Sequence, residues 1–337
     1  MISGINGQDG SFLAKKALDH GFEVIGLQRP HSSQKKDQEI FRLKELEIFD
    51  KVDLKIVDLN NLKQVEDLFK EQKPEYFVHL GSQSNVKNSF KFKMLTKESN
   101  IDITKNIVDT IEKFSKDTIF FFPSSATIYE GYKNIQVNES TNPIPKTNYA
   151  KSKLISQEYI VDKIRGNDLQ LNNGIMFSHE SEYRRPNFFS KKITQFLVEY
   201  KFRGDKNLKV GNLLIERDIG YAKEYVDAIF KIIKANNRKN YIVSSNKLYK
   251  LSDLINECLD ILEINYEIVL KNKKMTYIDK KSGFEFITSE DNEFRKYDLI
   301  GIKGNNSKII KELNWEPKIQ LKEISKIMIN YELKNIQ

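Results

Sequence analysis

Tyr149 and Lys153, in the stretch Tyr149-Ala-Lys-Ser-Lys153, stand at positions i and i+4 of a segment that reads as a helix. Residues so spaced lie on one helix face. A lysine ammonium beside a phenol stabilises the phenolate and draws the tyrosine pKa down from about 10 towards working pH. Such a phenol can pass a proton to or from a sugar hydroxyl while a nicotinamide ring takes or gives a hydride. By itself the pair also fits a surface helix with an amphipathic tyrosine; two further segments weigh for the chemistry.

The first is Gly4-Ile-Asn6-Gly7-Gln8-Asp9-Gly10, which follows a very short apolar start and leads into Ser11–Leu18, a helical stretch. Strand, glycine turn and helix form the context of a dinucleotide loop. The glycines let the backbone turn tightly and approach a pyrophosphate, which rests on the free N–H groups at the helix start. The spacing is Gly-x-x-Gly-x-x-Gly, not the tighter Gly-x-Gly-x-x-Gly. A second strand, Phe22–Leu27, ends in Gln28-Arg29-Pro30-His31-Ser32-Ser33, with no Asp or Glu for a ribose 2′-hydroxyl. Arg29 suits a 2′-phosphate, so NADP is favoured over NAD.

The second segment is Phe122-Pro-Ser124-Ser125-Ala-Thr127-Ile-Tyr129, after the apolar strand Thr118–Phe122. Ligands bind at such strand ends in an open parallel sheet. The Ser125 hydroxyl can therefore hydrogen-bond the substrate oxygen that Tyr149 deprotonates. Serines after strands are commonly turn residues, but the order glycine loop, Ser, Tyr, Lys is specific.

These residues resemble the extended short-chain dehydrogenase/reductase superfamily, and further matches resemble its GDP-mannose 4,6-dehydratase family. Residues Gly4–Leu13 look like that family's cofactor loop, including Asn6, Gln8 and Asp9, and Asp58-Leu59 like its adenine-contacting pair. Leu80-Gly-Ser82-Gln83-Ser84-Asn-Val86 with Ser89-Phe90 is similar to the segment beside cofactor and sugar. Asn173-Gly-Ile-Met-Phe-Ser178-His179-Glu180-Ser181 is similar to a distinctive Asn-Gly-Ile-Leu-Phe-Asn-His-Glu-Ser stretch. Gly211–Leu213, Arg217–Val226, Arg295, Ser307-Lys308 and Leu313-Asn-Trp315-Glu-Pro317 complete the likeness. It implies a GDP-linked sugar as substrate, with Leu80, Ser82 and His179 at the cofactor and Gln83, Ser84 and Ser178 at the sugar. Lys192, Arg217 and Arg295 would hold the diphosphate. Arginine offers planar bidentate donors to phosphate and lysine a compact charge. The likeness further implies a homodimer or homotetramer.

One departure bears on mechanism. In a 4,6-dehydratase, oxidation at C4 acidifies the C5 proton; a carboxylate removes it, the 6-hydroxyl leaves and the hydride returns to C6. The family places that glutamate two residues after its catalytic Ser or Thr, where this chain has Thr127. A threonine hydroxyl is neutral at pH 7 and cannot serve as this base; loss of a general base costs about 10²- to 10⁴-fold in rate. Ser-Ala-Thr-Ile-Tyr instead resembles the matching segment of sugar-nucleotide 4-epimerases, and the same equipment serves a 4-keto-sugar reductase. Glu130 is a candidate replacement carboxylate. A non-catalytic dinucleotide-binding role is the alternative from another class.

The elements that must position these residues follow from apolar patterning. Strands at Val52–Val57, Tyr76–Leu80, Thr118–Phe122 and Leu169–Phe177, alternating with helices, predict an α/β chain with a Rossmann-type doubly wound parallel sheet over 1–177. Helices around Ser190–Tyr200, Tyr225–Ala235 and Leu251–Ile261, with short strands such as Asn240–Val243, predict a smaller mixed α/β substrate lobe over 178–337. By the family likeness Gly211–Val226 returns towards the sheet. Only Met1-Ile2-Ser3 precede the glycine loop, so the first strand is expected to be short.

With 337 residues there is ample material for a core. The net charge of +8 can draw a nucleotide sugar, and the lysines are scattered rather than clustered, which argues against nucleic acid. Cys258 is the single cysteine, so no intrachain disulfide is possible, and His20, His31, His79 and His179 lack metal-ligand spacing. No signal peptide or membrane-spanning run is apparent, and a cytoplasmic protein is expected.

Overall fold

The computed structural model describes residues 1–30, 36–82, 98–290 and 299–336. A seven-stranded sheet runs, edge to edge, Asn240–Val243, Leu171–Met176, Ile119–Ser125, Tyr76–His79, Ile2–Ser3, Val24–Gln28, Val52–Ile56. Every neighbouring pair is parallel. Parallel strands require crossovers that cover both faces, which explains the apolar runs of inner strands such as Ile119-Phe-Phe-Phe122. All six residues of Leu171–Met176 are buried. One face is filled by Val65, Phe69, Ile107, Val108 and Ile111 of the helices Leu62–Gln72 and Ile103–Phe114. The other carries Phe12 and Leu13 of Gln8–Asp19 against Tyr225, Ile229 and Ile232 of Ala222–Ala235.

The strand order reverses between Ile2–Ser3 and Tyr76–His79, the two strands on either side of the switch. A crevice outside the strand ends at such a switch is where open α/β sheets bind ligands. The first strand is two residues long, yet it pairs with both neighbours, Ile2 with Gly26 and Val78.

The remaining chain builds two smaller sheets. Glu216–Tyr221 is central to one, flanked by Leu248–Lys250 and Ile300–Gly304, with Ser178–Glu180 also paired to it. Tyr266–Lys271, Lys274–Asp279, Glu285–Ser289 and Leu208–Val210 make the other. Their core is formed by Ile193 and Leu197 of Phe189–Arg203, Leu254 and Leu259 of Leu251–Ile261, and Ile324 and Met328 of Leu321–Asn335.

Two placements differ from the sequence expectation. Asn240–Val243, expected in the smaller lobe, is the outermost strand of the main sheet; it is apolar on both faces and follows a helix that packs on the glycine-loop helix. Glu216–Tyr221, within the segment expected to return to the main sheet, pairs instead in a small sheet, and the return is made by Ala222–Ala235. Trp315 anchors the closing segment there by donating from its indole to Glu224 O at 2.8 Å. Among the described residues no helix is long and apolar enough to cross a membrane, and no cluster of His, Cys, Asp and Glu could hold a metal ion.

Candidate active site

A cavity of about 1430 Å³ opens at the strand switch. This exceeds the ~300–1,000 Å³ of ordinary small-molecule sites and gives room for a dinucleotide and a second ligand together.

Its floor is the glycine loop. Gly4 has φ +72, and a Cβ there would lie 2.7 Å from the Leu80 carbonyl carbon and oxygen. At Gly10 a Cβ would meet Gly4 O at 2.3 Å and Ile5 Cα at 2.7 Å. The loop therefore closes only with glycine at both places. Gly7 caps the helix Gln8–Asp19 with no side-chain hydrogen bond, so the first N–H groups of that helix are left for a ligand. These features fit a dinucleotide pyrophosphate. Leu27, Arg29, Asp58 and Leu59 line the cavity near strand ends, as an adenosine site requires. Asp58 Oδ1 is itself held by the Asn60 N–H at 3.0 Å.

Two side chains tie the loop to the rest of the wall. Gln8 donates to His179 O at 3.3 Å and accepts from Ser181 Oγ at 2.7 Å. Asp9 Oδ2 faces His179 Nε2 at 3.0 Å, while His179 Nδ1 lies 2.7 Å from Phe177 O. With an acceptor on each ring nitrogen the ring is held as an imidazolium. Burial alone would lower the His179 pKa, and Asp9 more than offsets this, raising it above its ordinary value. Burial likewise pushes the Asp9 carboxyl up, but His179 outweighs it and holds the group below the usual aspartate value.

The catalytic candidates converge on one wall. Thr147 caps the helix Asn148–Gly166 by accepting from the Ala150 N–H at 3.1 Å, which puts Tyr149 and Lys153 on its buried face. Tyr149 stands beside Ser125, the last residue of its strand, close enough for the serine hydroxyl to favour the phenolate. Thr127 Oγ1 donates to Ser125 Oγ at 3.0 Å. Lys153 Nζ donates to Ser82 Oγ and to Pro123 O, both at 2.8 Å.

The electrostatics differ from the expected lysine effect. Burial raises the Tyr149 pKa above its ordinary value; the Ser125 hydroxyl and the charge of Arg184 oppose this without reversing it. Burial also pulls Lys153 down to about 7. Its ammonium is directed at Ser82 and Pro123, so the groups that lower the phenol are Ser125 and Arg184.

Glu130, the candidate replacement base, is committed elsewhere. Its Oε1 accepts from the Lys146 N–H at 2.6 Å and from the Thr147 N–H, and its Oε2 from Thr147 Oγ1 at 3.3 Å. The carboxylate thus braces the start of the Tyr149 helix.

Ser178 and Arg217 reach the cavity wall on the neighbouring strands Ser178–Glu180 and Glu216–Tyr221. Lys192 does not. It is exposed and donates to Lys209 O at 3.3 Å, because successive helix residues point about 100° apart. The preceding Lys191 lines the cavity instead, paired with Glu332 at 2.5 Å. Gln83, Ser84 and Arg295 lie outside the described residues.

Three arginines that sequence reasoning passed over also line the cavity. Arg184 lies 3.0 Å from Glu180 Oε2. Arg42 is 5 % exposed and donates to Asn6 O at 2.9 Å and Tyr183 O at 3.0 Å. Burial first, and then the charge of Arg185, lower its pKa to about 10. The adjacent pair Arg184-Arg185, which follows His179-Glu180-Ser181 after two intervening residues, was a readable signal; Arg42 had none, since it sits in an ordinary charged helix.

Comparison with known proteins agrees with this geometry. The profile of the GDP-mannose 4,6 dehydratase family matches residues 1–328. GDP-mannose 4,6 dehydratase 2 of Caenorhabditis elegans is 28% identical over 339 aligned residues, covering 98% of this chain and 87% of that protein. Among solved structures, UDP-glucose 4-epimerase of Thermotoga maritima with UDP-glucose superposes with a TM-score of 0.80 at 18% identity, covering 100% of this chain and 99% of that one. RMD of Pseudomonas aeruginosa complexed with NADPH gives 0.75 at 17%, covering 99% and 98%.

Proposed function

The chain belongs to the GDP-mannose 4,6-dehydratase family, and we propose that it binds NADP and a GDP-linked sugar and carries out hydride chemistry at C4 of that sugar. The observation that carries this reading is the convergence of Ser125, Tyr149 and Lys153 on the wall of the cavity whose floor is the glycine loop. Bound on Gly4, Gly7 and Gly10, a nicotinamide cofactor would supply a two-electron hydride acceptor and donor.

The chain's own residues manage the protons and the charge. Tyr149 takes the proton of the 4-hydroxyl as its C–O bond gains double-bond character, and returns it on reduction. Ser125 orients that oxygen and favours the phenolate. Lys153, held beside Ser82, would hold the cofactor ribose. His179, held by Asp9, sets a positive charge beside the reacting pair. Arg217, Arg184 and Lys191 stand in the same wall to hold a diphosphate. Arg29, which lines the same cavity as the buried Arg42 and the exposed Arg185, supports a 2′-phosphate and hence NADP.

A second reading has its own support. Elimination of water requires a base for the C5 proton. Thr127 offers a hydroxyl turned to Ser125, and the carboxylates of Glu130 and Asp9 are bound to backbone N–H groups and to His179. This favours a 4-epimerase or 4-keto-sugar reductase, in which no C5–H bond breaks.

Mass spectrometry on GDP-mannose incubated with the protein and catalytic NADP⁺, with Tyr149→Phe as control, separates the two. Loss of one water, absent in the variant, establishes dehydration. An unchanged mass with tight cofactor binding selects the second reading, and failure to bind NADP⁺ overturns both.

A further inference from the structure

The strand Tyr266–Lys271 ends the four-stranded sheet: among the described residues it pairs with Lys274–Asp279, and no strand lies on its other side. Ile268, Val269 and Leu270 stand on that edge, exposed by 40 %, 45 % and 57 %. Proteins ordinarily blunt such an edge with charge, proline or a covering element, because its unpaired N–H and C=O groups template another strand. Here charge stands only at the ends of the apolar run, Glu267 before it and Lys271 after it.

Pairing with the inner neighbour determines which backbone groups remain. Lys271 faces Lys274 across the turn Asn272-Lys273, whose φ values of 51 and 63 suit a tight two-residue hairpin. Counted back from that turn, residues 271, 269 and 267 exchange hydrogen bonds with the inner strand, so the backbone groups of 270, 268 and 266 point outward. An added strand must therefore bond to Ile268 and Leu270.

A second copy of the same strand does so when it runs antiparallel about a twofold axis through Val269. Ile268 then bonds to Leu270 of the second copy, and Leu270 to its Ile268. Val269 faces Val269, and Glu267 faces Lys271 on both sides of the axis. Shifting the axis to Ile268 sets Glu267 against Val269, and shifting it midway between the two sets Glu267 against Leu270. Only the Val269 register satisfies backbone and charge together. We propose that two copies of the chain associate through this edge, joining their four-stranded sheets in an isologous contact.

Native mass and a cross-link test it. Glu267→Lys sets lysine against lysine at both ends and is expected to halve the native mass measured by light scattering. The swap Glu267→Lys/Lys271→Glu restores the opposition and the parent mass. In Val269→Cys the thiols face each other across a non-hydrogen-bonded pair, about 4.5 Å apart at Cα, and mild oxidation is expected to link the copies. Cys258 is buried and contributes no background. The substituted positions are all exposed, so the fold is not at stake. A Glu267→Lys protein of unchanged mass, a charge swap that fails to restore it, or a Val269→Cys protein that stays single on a non-reducing gel each overturns the proposal.

Discussion

Asp9 and His179, 170 residues apart in sequence, meet as a partly buried pair that joins the glycine-loop helix to the strand Ser178–Glu180. Asp9→Asn removes the negative partner of the ring, an alteration expected to cost about 1–3 kcal/mol. The sign with pH follows from both shifts. The raised His179 contributes fully below 6.5 and fades as pH rises through its folded value; the lowered Asp9 contributes fully above 3.8 and fades as pH falls. Denaturation of wild type and Asp9→Asn should thus differ most between those values and converge outside them.

Ser125→Ala removes the hydroxyl that favours the Tyr149 phenolate. The phenol should titrate at higher pH than in wild type, displacing the pH profile of kcat/KM upward. At neutral pH turnover is expected to fall about 10²-fold, with cofactor affinity retained. An unshifted profile would remove Ser125 from this role.

Lys153 titrates near neutrality because burial lowers it to about 7 from 10.5. The unfolded chain then binds more protons than the folded one between these values, so stability rises with pH across that window. Lys153→Met should abolish this rise, whose upper bound is on the order of 5 kcal/mol, and should also abolish turnover. Chemical denaturation of the unliganded protein from pH 6.5 to 9.5 measures it.

Glu130 braces Lys146 and Thr147 ahead of Tyr149. Glu130→Ala orphans these donors and should cost about 1–3 kcal/mol, with Tyr149 misplaced and every C4 reaction slowed together. Were Glu130 the C5 base, Glu130→Ala would instead lose water elimination alone and keep C4 oxidation, which isotope exchange at C4 reads separately.

Several features of this chain were legible before its structure because they are local. A tight glycine turn at Gly4–Gly10, a helix following it, and Tyr149 and Lys153 one turn apart depend on residues within a few positions of each other; that the helix already opens at Gln8 rather than Ser11 came from the structure. Apolar runs such as Ile119-Phe-Phe-Phe122 likewise require cover on both faces, as the inner strands of a parallel sheet receive it. The threonine at 127, where the family is expected to carry a glutamate, was also readable without any coordinates.

Tertiary packing decided the rest, because charge and burial act between residues that only folding brings together. Lys153 was expected to govern the phenol, yet burial and its bonds to Ser82 and Pro123 gave that influence to Ser125 and Arg184. Lys191 rather than Lys192 entered the cavity through the phase of one helix. Arg42 reached Tyr183 across 141 residues. Spacing along a chain specifies which side chains share a face; which charges lose water, and which neighbours compensate them, is determined only when distant elements close on one another.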